Sequence, residues 1–157
     1  TYVHKHLKVG DTVHINGPYG DFYYRDKYDN EMILVAVGTG MAPILSILYH
    51  MRDENIKRKA RFYFGARTPE DLFLLDELRE LEETLYDFKF IPTLSRALDE
   101  HNWTGERGRV NVLLDKHIKD PKDKEAYLCG SPAMIDTVVA LLKEKGILEE
   151  DILYDKF

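Results

Sequence analysis

Cys129 is the only thiol in this 157-residue chain, so no disulfide can close within it and its own residues cannot build a cysteine-held zinc or iron–sulfur cluster. A reducing compartment is the natural setting. Long apolar runs are missing too. No stretch approaches the roughly 20 residues that span a bilayer, and no basic-then-apolar leader is visible. The expectation is a domain that is neither inserted nor secreted by itself, although it could belong to a larger membrane complex. Positive charge is in deficit: 22 Lys and Arg stand against 28 Asp and Glu, a net charge of −6. With the basic residues scattered, this argues against a nucleic-acid partner and leaves any anionic ligand to local dipoles and a few arginines. A Gly-x-Ser-x-Gly elbow and a phosphate-loop lysine are both absent, which disfavours a hydrolase and an ATPase.

What is present is a globular profile, 44% hydrophobic and 32% charged, with one segment that stands out. The apolar run over 32–37 breaks into Gly38-Thr39-Gly40-Met41-Ala42-Pro43 and then Ile44-Leu45-Ser46-Ile47-Leu48. This predicts a strand, a tight glycine turn and a helix. A helix N-terminus offers backbone N–H groups and partial positive charge, and glycines admit a pyrophosphate at close range. Pro43 suits a first helical turn, where its missing N–H has no partner to lose. The third position of the usual dinucleotide fingerprint is here a proline, so an ordinary strand–helix turn would share the pattern.

Apolar runs then alternate with amphipathic stretches, the pattern of a parallel sheet covered on both faces. Strands are predicted over 32–37, 60–64, 88–94, 126–129 and 151–153. Helices are predicted after Pro43, over about 69–85 with Leu72, Leu75, Leu78, Leu81 and Leu85 facing the core, over 110–117, and over 132–145. In the last, Met134, Val138, Leu141 and Leu142 share a face and Gly146 ends the helix. The predicted fold is α/β: a doubly wound, five-stranded parallel sheet with helices on both faces. Residues 2–15 read as a β-hairpin remnant, closed by Asn16-Gly17-Pro18-Tyr19-Gly20. Such a hairpin cannot bury a core alone. Residues 26–31 read as a polar linker, and Tyr19, Tyr23, Tyr24 and Tyr28 as packing at the junction. His4 and His6, on one strand face in this reading, lack the further ligands a metal site needs.

In an open parallel sheet, ligands bind beyond the carboxyl ends of the strands. Those positions carry Gly38-Thr39-Gly40, Gly65-Ala66-Arg67-Thr68, Ser95-Arg96 and Cys129-Gly130-Ser131-Pro132-Ala133-Met134. Singly, each has a turn or cap explanation: Thr68 before Pro69 suits an N-cap and Ser95 a turn hydroxyl. Together they converge on one rim. Cys129 has no His–Asp pair and no nearby cation in the sequence, so contact with a planar ring suits it better than covalent catalysis.

In order along the chain, Gly17-Pro18-Tyr19-Gly20, Gly38 to Pro43, Gly65-Ala66-Arg67, Leu94-Ser95-Arg96, Trp103-Thr104-Gly105, Cys129 to Met134 and the closing Asp155-Lys156-Phe157 resemble the ferredoxin–NADP reductase superfamily. Asn102-Trp103-Thr104-Gly105 and Ile152 to Phe157 most resemble the F-subunit branch of sodium-translocating NADH:quinone reductases, itself similar to reductase components of phenol and toluene oxygenases. The resemblance implies a nucleotide domain that delivers hydride from NADH to FAD on a neighbouring β-barrel, with electrons passing on through a 2Fe-2S centre, to quinone in that branch. It implies that Gly38, Thr39, Gly40, Met41 and Pro43 hold the pyrophosphate. Gly65, Arg67, Ser95 and Arg96 would also bind the cofactor, Ser95-Arg96 resembling the phosphate-binding pair of plant-type reductases. Cys129, Gly130 and Met134 would position the nicotinamide, Ser131 and Pro132 would also bind the cofactor, and Phe157 would cover the flavin ring. Cys129 and Phe157 are thereby the residues expected at the reacting atoms.

The arginine–aromatic–serine/threonine flavin motif of that superfamily is not in this chain, nor are its ferredoxin cysteines or membrane anchor. The expectation is therefore a piece: the last strands of an FAD domain in residues 1–25 and a nucleotide domain in residues 32–157. Its partners would be the FAD-binding and ferredoxin modules of the same polypeptide and other subunits of a membrane complex on the cytoplasmic side. For the nucleotide itself, Glu70 and Asp71 favour NADH, while Arg67 and Arg96 would suit NADPH; NADH is the expected form. A reductase of a multicomponent oxygenase and a nucleotide-binding module without redox chemistry are the alternatives.

Overall fold

A computed structural model describes residues 2–17, 19–26 and 29–157. After a short helix, α1 (Tyr2–Lys5), the order is β1 (Glu31–Val37), α2 (Met41–Asp53), β2 (Lys59–Ala66), α3 (Leu75–Thr84), β3 (Asp87–Leu94), β4 (Glu106–Arg107), α4 (Val110–His117), β5 (Lys124–Gly130), α5 (Pro132–Lys145) and β6 (Ile152–Lys156). All six strands are parallel, in the order β4-β3-β2-β1-β5-β6. The chain steps outward from β1 to β4 and then returns to the other side of β1 with β5. The switch point of the sheet therefore lies between β1 and β5.

The alternation of side chains along β1 divides the interior in two. Met32, Leu34 and Ala36 face one core with α2 and α3, where Ile44, Leu48, Leu78 and Leu81 are buried. Ile33 and Val35 face the other, with Leu114 of α4 and Ile135, Val138 and Leu142 of α5. This is why β1 and β5 read as unbroken apolar runs: both faces are covered. Pro92 is tolerated within β3 because β4 pairs only with Thr93 and Leu94, which leaves the earlier part of β3 at the sheet edge.

Three differences from expectation have physical causes. The sheet has six strands, since Glu106 and Arg107 add a short edge fastened by the Gly108 N–H to Leu94 O (2.9 Å) and Thr93 Oγ1 to Gly108 O (2.9 Å). The helix expected over 69–85 is split: Pro69–Asp71 form one tight turn, Leu74 takes φ 57°, and α3 begins only at Leu75. The split lets Phe73 set its ring edge-on to Phe64, with centroids 5.6 Å apart. Lastly, no hairpin forms among the described residues before Glu31; residues 2–5 are helical and residues 11–15 are exposed. With nothing to pack against, two short strands have no core to join. His4 and His6 accordingly share no strand face, and Tyr2 stacks on His6 instead (5.8 Å).

At the expected junction only Tyr24 packs as anticipated, against His50 and under Arg58. Tyr19 and Tyr23 are exposed, while Pro18 and Tyr28 lie outside the described residues. On α5 the most buried positions are Ile135, Val138 and Leu142; Met134 and Leu141 are only partly covered. Gly146 ends that helix at φ 100°, its N–H donating back to Leu142 O and Lys143 O.

Candidate nucleotide-binding site

Beyond β1, Gly38–Gly40 form one tight helical turn that runs straight into α2. No side chain caps its start, so the first N–H groups of the turn and helix belong to a rim built from backbone. Gly38 holds φ 53° and faces open space, whereas Gly40 is buried against the end of β5. A Cβ on Gly40 would strike the Cys129 carbonyl oxygen and lie 2.6 Å from the Cys129 carbonyl carbon. Glycine at position 40 is what allows the β1 turn to rest directly on the Cys129–Gly130 peptide.

The same tightness recurs around Val37. A Cβ on Gly65 would lie 3.1 Å from Val37 Cγ1, and one on Gly130 would lie 2.6 Å from Val37 Cγ2 and 2.8 Å from Met134 Cε. The ends of β2, β1 and β5 thus close around one valine. Sequence reasoning missed position 37, whose only signal is that it is the last apolar residue before the glycine turn.

Ser131 precedes α5 without making a side-chain cap, and Ser131, Pro132 and Ala133 are exposed at the rim. Cys129 is only 2% exposed. Burial, with the Asp155 carboxylate adding to it, pushes the thiol pKa up to about 11. A thiol so protonated at neutral pH is a poor nucleophile. Asp155 pairs in register with Cys129, and Lys156 with Gly130. The Phe157 N–H then donates to Gly130 O (3.2 Å), which fixes the Phe157 backbone beside the glycine, with the residue 59% exposed.

On the other side of β1, Ser95 N–H and Oγ both donate to Ala66 O (3.0 and 3.3 Å), and Arg96 N–H donates to Arg67 O (2.8 Å). The two turns are tied together, with Arg67 and Arg96 both exposed. Asp71 is engaged locally, accepting from the Thr68 N–H at 3.1 Å. Glu70 stands at the surface, and a hydrogen bond from Thr68 holds its carboxyl below the ordinary range. Trp103-Thr104-Gly105 serves the edge strand: Trp103 Nε1 donates to Glu106 O (2.9 Å), and a Cβ on Gly105 would run into the indole. From Arg96 to Phe157 the rim crosses four strand spacings, about 19 Å, a length that would suit an elongated ligand.

Residues 34–140 match the family described as the oxidoreductase NAD-binding domain. The chain belongs to that family. Its relatives include the reductase component of propane 2-monooxygenase from Mycolicibacterium smegmatis, 41% identical over 155 residues, 97% of this chain and 44% of the relative. Another is the F component of the sodium-translocating NADH-quinone reductase of Neisseria meningitidis, 38% identical over 156 residues, 96% of this chain and 38% of the relative. The chain thus spans less than half the length of these relatives. The likeness to the quinone-reductase branch is real but shared, and the monooxygenase reductase is slightly more identical. Among solved structures, the Amycolatopsis cytochrome P450 reductase GcoB superposes with a TM-score of 0.81 at 28% identity, covering 90% of this chain and 42% of that one. The flavohem-like FAD/NAD-binding domain of nitric oxide dioxygenase from Vibrio cholerae shares the fold, with a TM-score of 0.86 at 23% identity over 99% of this chain and 62% of that one. The chain is accordingly an oxidoreductase NAD-binding domain, similar to the corresponding stretch of these reductases. Among the described residues no helix is long and apolar enough to cross a membrane.

Proposed function

We propose that this chain is the NADH-binding domain of the reductase component of a multicomponent oxygenase, presenting the dinucleotide to an FAD carried by a preceding segment. The observation that carries the reading is the seating of the Gly38–Gly40 turn on the Cys129–Gly130 peptide at the switch point of the sheet. Gly38, Thr39, Gly40, Met41 and Pro43 would hold the pyrophosphate against the start of α2. Cys129, Gly130, Ser131, Pro132 and Met134 would frame the nicotinamide. Phe157 would stand over the flavin ring until the nicotinamide takes its place. Dihydronicotinamide held there would supply a hydride to a flavin on the preceding segment. The buried Cys129 thiol contributes an apolar wall that stays neutral at physiological pH.

Gly65, Arg67, Ser95 and Arg96 would receive the adenosine end. Glu70 favours NADH, because an ionised carboxylate at the surface accepts a ribose hydroxyl and repels a 2′-phosphate. The choice of an oxygenase reductase over a sodium-translocating quinone reductase rests on the difference in identity between the two groups of relatives. The second reading, with quinone as acceptor, sodium coupling and a place at the cytoplasmic face of an inner-membrane complex, keeps the support of the quinone-reductase relatives. In both, the 2Fe-2S centre would sit in a module outside this chain. A nucleotide-binding module without redox chemistry would need neither Cys129 nor Phe157 at the rim.

Calorimetric titration with NADH, NADPH and ADP-ribose in parallel tests the site. The expected result is one saturable site that prefers NADH and is weakened at least tenfold by Gly40→Leu. Absence of binding to all three, also with the preceding segment restored, would overturn the reading. An NADPH preference that disappears in Arg96→Ala would overturn the choice of nucleotide.

A further inference from the structure

At the opposite end of the sheet from the glycine rim lies a polar cluster that the nucleotide site does not use. Glu125 and Arg58 are 0% and 3% exposed, and Arg58 Nη2 donates to Glu125 Oε2 at 2.6 Å. The same oxygen accepts from the Tyr127 hydroxyl at 2.9 Å. Such a pair is a weak contributor to stability, since apolar residues of the same volume often serve a fold as well. Its remaining bonds indicate another role. Tyr127 Oη accepts from the Arg25 N–H (3.0 Å), Arg58 Nη1 donates to Arg25 O (3.2 Å), and Arg58 Nε donates to Asn30 O. All three end on backbone of the segment that leads into β1. Phe22 meets the Tyr127 ring edge-on (5.9 Å), Tyr24 lies under the Arg58 guanidinium (5.6 Å), and the Arg25 side chain donates to Glu150 O (2.7 Å).

We propose that Arg58, Glu125 and Tyr127 form a clamp that fixes where the preceding flavin-bearing segment leaves the nucleotide domain, making them positioning residues for hydride transfer. The inference rests on the function proposed above. Residues 2–17 are mostly exposed and make no strand, whereas the Arg25 backbone is held at both its N–H and its carbonyl, and Phe22, Tyr24 and Arg25 are half-buried. The exit point of the chain is therefore fixed by side chains from β5 and from the loop before β2. A tether fixed at its root narrows the range of flavin positions relative to the rim, and transfer between two reactants is steep in that geometry. Glu125 Oε1 has no hydrogen-bond partner although it is buried. The carboxylate is thus committed through its other oxygen to the two groups that grip Arg25.

Tyr127→Phe is the fold-safe variant, because it removes only the hydroxyl and keeps the ring against Phe22. In this chain, the rate of tryptic cleavage after Arg25 should rise about fivefold as the grip on the backbone loosens, with the NADH dissociation constant unchanged. In the flavin-bearing polypeptide, the single-turnover rate of flavin reduction should fall on the order of tenfold at saturating NADH, again with unchanged nucleotide affinity. Arg58→Lys, which keeps the charge but lacks the fork that reaches Arg25, Asn30 and Glu125 together, should reproduce both effects. An unchanged reduction rate despite faster cleavage would overturn the clamp. So would a loss of NADH affinity in step with the rate, which would mean that the cluster only maintains the fold. If the wild type binds no nucleotide, the function proposed above fails, while unchanged cleavage after Arg25 in Tyr127→Phe would overturn the grip on the backbone itself.

Discussion

At its first residues β5 carries Glu125, sealed from solvent and held by Arg58 and Tyr127; at its last it carries Cys129 and Gly130, with no charged side chain and a neighbouring turn packed on bare peptide. The lower end is built from long side chains that reach across the fold, whereas the upper end comes from leaving side chains out. The difference separates two tasks. Ordering a polypeptide segment requires donors and acceptors at fixed places, and Arg58 supplies three of its bonds from one planar group. Accepting an elongated anionic ligand requires exposed backbone and a shelf without obstruction.

The sharpest way to break this comparison is Glu125→Ala, which leaves the Arg58 charge buried without its partner. It should cost about 3–5 kcal/mol in urea denaturation, while the NADH affinity of the folded fraction stays unchanged; a parallel loss of affinity would show that the two ends are not independent. Gly40→Ala comes next. Its Cβ cannot be accommodated without moving backbone, so the expected cost is about 1–3 kcal/mol, here accompanied by weaker nucleotide binding in the same titration. A stability loss with affinity intact would place the ligand elsewhere. The smallest effect concerns Cys129. The thiol pKa is raised to about 11 in the folded chain against about 8.5 for a free thiol. Its contribution to stability is therefore complete below the unfolded value and is lost as pH rises through the folded one. Denaturation midpoints should fall between about pH 8.5 and 11, and Cys129→Ala should flatten that part of the profile. Labelling by iodoacetamide at neutral pH should run at least 100-fold slower than for an exposed thiol.

Legibility in the sequence divides along the same line. Glycine positions declare a need of the backbone locally, so Gly38, Gly40, Gly65 and Gly130 can be found one by one, and the parallel sheet follows from apolar runs with both faces covered. The Arg58–Glu125 pair cannot be found this way. Its partners are 67 residues apart, and Glu125 stands at the edge of an apolar run, where a charge ordinarily marks the end of a strand. The strand Glu106–Arg107 is hidden for a related reason: two charged residues carry no hydrophobic period, and their pairing depends on Thr93 and Gly108. The split before α3 is masked by leucines that keep helical spacing through Leu72 and Leu75, although Leu74 between them is left-handed. The order of motifs identifies the family, but neither the Trp103 loop nor the chain end settles the branch within it.

Val37 gives the rim one further property. Its two methyl groups lie 3.1 Å and 2.6 Å from where side chains on Gly65 and Gly130 would begin, so the sizes of these three positions are coupled. A larger residue at 65 requires Val37 to give way, and one at 130 requires Met134 to move as well and a φ of 154° to relax, so each such exchange would move the floor of the site between neighbouring strands. Changes in ligand preference along this rim would therefore come in correlated sets, with intermediates that carry one change alone selected against for folding before they can be tested for function.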